Sequence, residues 1–296
     1  MSLLNRPSDG MHSVLIAINN LLAQEVSMPL QQIIELCAPE NCGDPSQVRQ
    51  TINTWVKLGL YAKSEDDKIS FSKSISKSDK TREALPHVAR RLVLSPENNT
   101  NLWAAESIGS ADFTRSVAWL LAQNVYRAEL NSWSDAQGLI QKQVNTSVTI
   151  VQNDTRWSGL KAWSQFLGFA WSGKFPSGAL VIDPTEAVAD SLPEIFKKCS
   201  KITAEQFVNG LAQNIPVLDS GDYRNEVESK MIEHGGWHPQ PEGCVSTSLS
   251  RSILRLIHEG TLVGENLSDA GSRLRLIGHA QKEIETFSHI TFAAKP

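Results

Sequence analysis

Between residues 45 and 71 the apolar spacing changes from a helical period to strict alternation, and this switch constrains the fold more than any other feature of the chain. Val48, Ile52, Trp55, Val56 and Leu58 recur as one face of a helix, with Asp44 or Ser46 as its cap and Pro45 in its first turn. Gly59 supplies a stop. Leu60, Tyr61 and Ala62 then read as a strand, Asp66-Asp67 as a tight turn, and Ile69, Phe71 and Ile75 as the apolar positions of a returning strand. Upstream, Asp9 is a cap for a first helix carrying Met11, Val14, Leu15, Ile18, Leu21 and Leu22. Pro29 opens a second helix through Leu30, Ile33, Ile34 and Leu36, stopping near Pro39, and residues 40–44 have turn chemistry.

Three helices followed by a hairpin predict a winged helix over residues 1–75, and the stretch Trp55–Tyr61 resembles the third-helix-to-wing junction of winged helix-turn-helix domains. In such domains the third helix enters the major groove. Its exposed positions here would be Gln47, Arg49, Gln50, Asn53, Thr54 and Lys57, groups competent to bond bases and phosphates. The wing carries Lys63 and Lys68, but its tip of Glu65, Asp66 and Asp67 would repel phosphate, which favours a protein-binding module as the alternative. Residues 73–91 add Lys73, Lys77, Lys80, Arg82, Arg90 and Arg91 against only Asp79 and Glu83. This basic stretch either extends a phosphate-contacting surface or is a solvated helix face.

Residues 76–133 read as a basic connector and helical linker. Within it a long helix should begin near Leu102 or Asp112 and run to about Leu130, with Trp103, Trp119 and Trp133 in packing roles. Residues 134–190 read as a second, degenerate winged-helix-like module: a cap at Ser134-Asp135, helices through Ile140 and through Trp157–Leu167, then a strand at 179–182. Residues 191–296 read as a helical module containing a third helix-then-hairpin unit. There Ser246 or Ser248 caps a helix ended by Gly260, and Leu262-Val263 pairs with Leu274–Ile277. Arg251, Arg255, Arg273 and Arg275 are candidate phosphate contacts, or partners of aspartates within the unit. The fold class expected is mainly α with short β-hairpins, an α+β chain of tandem winged-helix modules joined by helices.

At 41% hydrophobic and 20% charged residues, the chain can build cores and is not disordered by composition. A formal net charge of -4 weighs mildly against DNA as the dominant ligand, without excluding a local basic patch. The four cysteines, Cys37, Cys42, Cys199 and Cys244, form no CxxC pair. With no signal-peptide pattern and no apolar run of spanning length, a cytoplasmic location with reduced thiols and no membrane partner is expected. Phosphate-binding and nucleophile-elbow motifs are not present. Asp219 with Glu228 and Lys230 imitates a metal-nuclease set, but on a helix residues two apart diverge. His234, His238 and Cys244 lack a fourth zinc ligand. Ser74 and Lys77 form a bare SxxK with no accompanying motif. No catalytic residues, metal, cofactor or small-molecule substrate are therefore expected, and a hydrolytic enzyme is the least favoured reading.

Three regions carry a family likeness: Met1–Asn5; Ile215–Asp219 with Tyr223–Glu228; and Leu249–Leu256 with Leu267–Ala270 and Phe287–Ile290. In these the chain resembles the DpdG family, encoded in bacterial clusters that place 7-deazaguanine bases in DNA and restrict unmodified DNA. The resemblance implies an accessory protein of a DNA modification and restriction (antiviral defence) system, not the base-exchanging enzyme, with other proteins of the cluster as partners. It brings no catalytic residue with it. The residues themselves suggest contact with duplex DNA through Gln47, Arg49, Gln50, Asn53, Lys57, Lys73, Lys77, Lys80, Arg251 and Arg255. A protein-interaction scaffold and a transcription regulator are the alternatives.

Overall fold

The computed structural model describes residues 3–4, 12–38, 45–103, 109–144, 147–173, 179–268 and 272–293. The expected cap at Asp9, the start at Met11, the turn at 40–44 with Asp44 and Cys42, and Asp269-Ala270 lie outside the described residues. Among the described residues the chain is α+β, with helices predominating over small antiparallel sheets. In chain order the elements are α1 (His12–Gln24), β1 (Met28–Pro29), α2 (Leu30–Cys37), α3 (Pro45–Lys57), β2 (Tyr61–Lys63), β3 (Lys68–Phe71), α4 (Leu85–Val93) and α5 (Ala111–Ala122). Then follow α6 (Trp133–Gln143), α7 (Asp154–Phe166), β4 (Ala170–Ser172), β5 (Leu180–Ile182), α8 (Thr185–Ile195), β6 (Lys201–Thr203) and α9 (Ala204–Asn214). The chain continues with α10 (Asp222–His234), α11 (Thr247–His258), β7 (Leu262–Glu265), β8 (Leu274–Ile277), β9 (Glu283–Phe287) and β10 (His289–Phe292). Two compact units divide it: Met1–Thr114 with Gln152–Leu167, and Arg115–Val151 with Gly168–Pro296.

In the first unit, a three-stranded sheet of order β1-β3-β2 follows and interleaves with three helices. Tyr61 lies opposite Phe71, and Met28 opposite Ile69. The short β1 carries no alternation for a sequence reading to detect. Its Pro29 has no N–H to donate and suits the edge position it occupies. Leu15, Ile18, Leu22, Leu30, Ile33, Ile34, Val48 and Ile52 are buried, as the helical spacing predicts. Leu36 is not: it is 55% exposed, because the stripe of α2 is completed by Leu30, Ile33 and Ile34 and two further residues turn the chain outward.

Gly59, at φ +92°, ends α3 in a Schellman motif. Leu60 N–H donates to the Trp55 carbonyl at 2.9 Å and Gly59 N–H to that of Val56 at 3.2 Å. Trp55 is fully buried and packs on Trp163 of α7, their rings 5.7 Å apart. His12 stacks on Phe166 at 5.2 Å. Arg90 of α4 is buried rather than part of a basic surface: its Nη1 donates to the Leu167 carbonyl at 2.8 Å, satisfying an orphan acceptor at the end of α7.

In the second unit, α8 packs against α9 and α11. The helix expected to reach Leu130 stops at Ala122. Val125 N–H is taken by Thr247 Oγ1 at 3.0 Å and Tyr126 N–H by Asn124 Oδ1 at 3.0 Å, so side chains outcompete the next helical turn. The cap of α6 is Ser132, not Ser134. Ser132 Oγ accepts from Asp135 N–H while the Asp135 carboxylate accepts from Ser132 N–H, a reciprocal capping box. Of the two serines offered as the cap of α11 it is Ser246 that serves, and Pro184 precedes α8.

The expected pairing of Leu262-Val263 with Leu274–Ile277 does not form. β7 and β6 both flank β10, with Ile290 opposite Gly264 and Ile202, while β8 pairs with β9. A Cβ at Gly264 would come within 3.3 Å of the Phe287 ring, so β7 is shaped for the late strands that sequence spacing did not bring out.

Candidate nucleic-acid interface

At about 100° per residue, Arg49, Asn53 and Lys57 fall on one strip of α3, with Gln50 along its border. Arg49, Asn53 and Lys57 are exposed and Gln50 is half-buried. Ser46, read from sequence only as a possible cap, is exposed on the same side, and helical spacing alone would have placed it there. Gln47 is half-buried, with its carbonyl accepting from Thr51 Oγ1 at 2.9 Å. Thr54, expected outside, is buried. Among the described residues, neither Arg49 nor Lys57 forms an ion pair. Lys57 closes the last turn, where a cation also complements the helix dipole.

In the turn between β2 and β3, Lys63 Nζ pairs with Asp67 at 2.6 Å, leaving Glu65 and Asp66 at an acidic tip. The basic stretch beyond β3 is divided by the fold. Lys73 and Lys77 are exposed. Lys80 lies over the Phe71 ring at 5.3 Å, Arg90 is internal, and Arg91 pairs with Asp79 at 3.1 Å.

In the second unit, Arg255 Nη1 reaches Asp183 Oδ2 at 2.5 Å, and Arg251 stacks its guanidinium on Tyr126 at 5.8 Å. Arg275 donates to the Glu242 carbonyl. Three of the four arginines offered as phosphate contacts therefore have partners, but of these only Arg255 meets an aspartate, and Asp183 lies outside the helix-then-hairpin segment where such partners were expected.

A pocket of about 370 Å³ in the same unit is lined by Asp219, Glu228, Asn225, Cys244 and Arg273, among others. Both Asp219 oxygens are taken: Oδ1 accepts from Ser246 N–H at 2.6 Å and Oδ2 from Ser246 Oγ at 2.7 Å. Glu228 accepts from the buried Arg224 Nε at 2.6 Å, while Lys230 pairs with Glu233 at 2.9 Å. The acidic nuclease lookalike is thus shared out among local structural bonds. Among the described residues, no three His, Cys, Asp or Glu side chains gather to hold a metal, and no helix is long and apolar enough to cross a membrane.

Burial lowers the His12 pKa below its ordinary value and raises that of Cys37. Burial, reinforced by Cys37, pushes the Tyr61 phenol well above its usual range. All three groups sit among the helices and sheet of the first unit rather than on the α3 strip.

The class so defined is an α+β protein whose first unit presents a polar, cation-bearing helix strip beside a small antiparallel sheet. The chain belongs to the DpdG-like family, whose model matches residues 1–270. Membership associates it with the 7-deazaguanine DNA-modification cluster. No curated protein and no solved structure matches the chain.

Proposed function

We propose that residues 12–71 are a winged helix-turn-helix and that the chain is a non-catalytic accessory protein of a bacterial DNA modification and restriction system, contacting duplex DNA through α3. It acts in the cytoplasm with other proteins of its cluster. The winged-helix reading is supported by the order α1-β1-α2-α3-β2-β3 and by a sheet in which β3 lies between β1 and β2. The DNA reading is carried by one observation: Arg49, Gln50, Asn53 and Lys57 line the outward side of α3, and its two cations have no carboxylate partner among the described residues.

The test is fluorescence anisotropy of labelled duplex DNA at several salt concentrations. Lys57→Ala should weaken binding equally across sequences and reduce the salt slope by about 0.9, the value for one phosphate contact. Salt-dependent binding that ignores Arg49, Asn53 and Lys57 would overturn the assignment to α3.

One observation favours a second reading, a protein-binding scaffold. Val26 and Leu36 stand 94% and 55% exposed in the same unit, and the acidic β2–β3 turn suits a basic protein better than a phosphate chain.

A further inference from the structure

A second basic site lies in the first unit away from α3. Between the C-terminal part of α1 and the turn at residues 77–83 is a cleft of about 460 Å³, within the range of ligand-binding pockets. No residue of α3 lines it. Lys77, Lys80 and Arg82 line it with Glu83 as the single acidic residue, and Asn20 and Gln24 line it from α1. Two local features account for part of this charge. The carbonyl end of α1 favours a cation within its last turn. The Phe71 ring engages Lys80, whose backbone carbonyl is also held by Asn19 Nδ2 at 3.3 Å. Neither feature uses Lys77 or Arg82, which form no ion pair among the described residues and are exposed.

We infer that this cleft binds a phosphate group, with Lys77 and Arg82 supplying the charge and the Asn20 and Gln24 amides neutral donors. A guanidinium can hold two phosphate oxygens at once while an ammonium acts as a point charge, so the pair is suited to one tetrahedral anion. The 370 Å³ pocket of the second unit does not offer this chemistry, because the acidic residues Asp219 and Glu228 line it. The phosphate comes from the backbone of duplex DNA or from a free phosphate ester. The inference does not depend on α3 contacting DNA.

The experiment compares the full chain with Lys77→Ala/Arg82→Ala, two exposed positions, after thermal melts confirm equal folding. A separate α3 variant, Arg49→Ala/Asn53→Ala/Lys57→Ala, is measured alongside. Probes are a short labelled duplex, titrated at several salt concentrations, and inorganic pyrophosphate, titrated calorimetrically at low salt. If the cleft holds a DNA phosphate, the cleft variant loses about 0.9 of the duplex salt slope for each phosphate released. If it holds a free ester, duplex binding is unchanged and pyrophosphate affinity falls by about tenfold or more. Unchanged binding of both probes overturns the inference. Loss of duplex binding in the α3 variant, with both probes unchanged in the cleft variant, would leave the proposed function standing and remove the cleft; loss of duplex binding in the cleft variant alone would keep the cleft and overturn the assignment to α3.

Discussion

Asp183 is a heavily used carboxylate of the second unit, and its replacement should separate neutral from charged contributions to the fold. Its side chain is 3% exposed and accepts four bonds. Thr185 N–H and Oγ1 approach at 3.2 and 2.5 Å, Trp171 Nε1 at 3.1 Å and Arg255 Nη1 at 2.5 Å. Arg255 and Trp171 are close to half exposed, so water replaces the lost acceptor for both. Thr185 is buried at the start of α8, where its N–H has no such recourse. For Asp183→Ala we therefore expect about 1–2 kcal/mol from the lost bonds to buried Thr185, with about 0.5–1 kcal/mol more from the ion pair to the half-exposed Arg255. Arg255→Ala leaves the carboxylate with three donors and should cost only about 0.5–1 kcal/mol. In the double variant the arginine's contribution should vanish, giving a coupling of the same size. Urea unfolding followed by far-UV circular dichroism measures all three, with hydrogen exchange across residues 185–195 localising the effect. Arg255→Ala should also leave the salt slope of DNA binding unchanged. Equal costs for the two single variants would refute the reasoning, since the charge pair and not the Thr185 bonds would then dominate.

Tyr61 is buried with an Oη that has no partner among the described residues. Tyr61→Phe should thus be neutral or stabilising by up to about 1 kcal/mol in a neutral-pH melt. The folded phenol pKa lies above the unfolded value of about 10, so its contribution is complete below that pH and is lost as pH rises toward the folded value. The Phe variant should keep its melting temperature to higher pH than the parent, and identical alkaline profiles would refute this. Trp55→Ala should cost about 3–5 kcal/mol in urea unfolding by opening a cavity beside Trp163, whereas Trp55→Phe, which gives up no hydrogen bond, should cost well under half of that. Gly109→Ala should cost about 2 kcal/mol or more, because φ is +65° and the new Cβ would lie 2.3 Å from the Asn98 carbonyl oxygen; a melt unchanged from the parent would show that this turn relaxes freely.

The parts of the fold that were legible in the sequence are those whose signals are local. Gly59 after an apolar helix stripe, Asp67 in a two-aspartate turn and Ser246 before Leu249 each fix a boundary within a few residues, and each stands where expected. The pairing of the late strands was not legible, because β7 finds its neighbours in β10 and through it β6, far away in the chain. Nor was the end of α5, since the competitor for the Val125 N–H is Thr247, 122 residues on. Arg90 shows the same blindness for charge: composition placed it on a basic surface, while the carbonyl that holds it inside belongs to Leu167. Thr54 is different, and was legible after all. It sits about 100° around the helix from Asn53, beyond the strip that Arg49, Asn53 and Lys57 define.

These corrections narrow what α3 could do alone. With Thr54 inside and Gln47 half-covered, the strip offers two cations and two amides. Two phosphate contacts give a salt slope of only about -1.8, far shallower than that of proteins making six or more. The acidic tip between β2 and β3 cannot add to it, because Lys63 is already neutralised by Asp67 and the residual charge there is negative. In the second unit, Arg251 and Arg255 are held by Tyr126 and Asp183. An isolated chain using α3 alone would therefore bind duplex DNA weakly and without strong dependence on salt. Tighter binding requires either the Lys77–Arg82 cleft to take a further phosphate or a partner protein to supply the missing cations. Measuring the salt slope of the free chain distinguishes the two before any partner is known: a slope near -1.8 leaves the cleft unused by DNA, and a steeper one, lost with Lys77 and Arg82, puts it on the duplex.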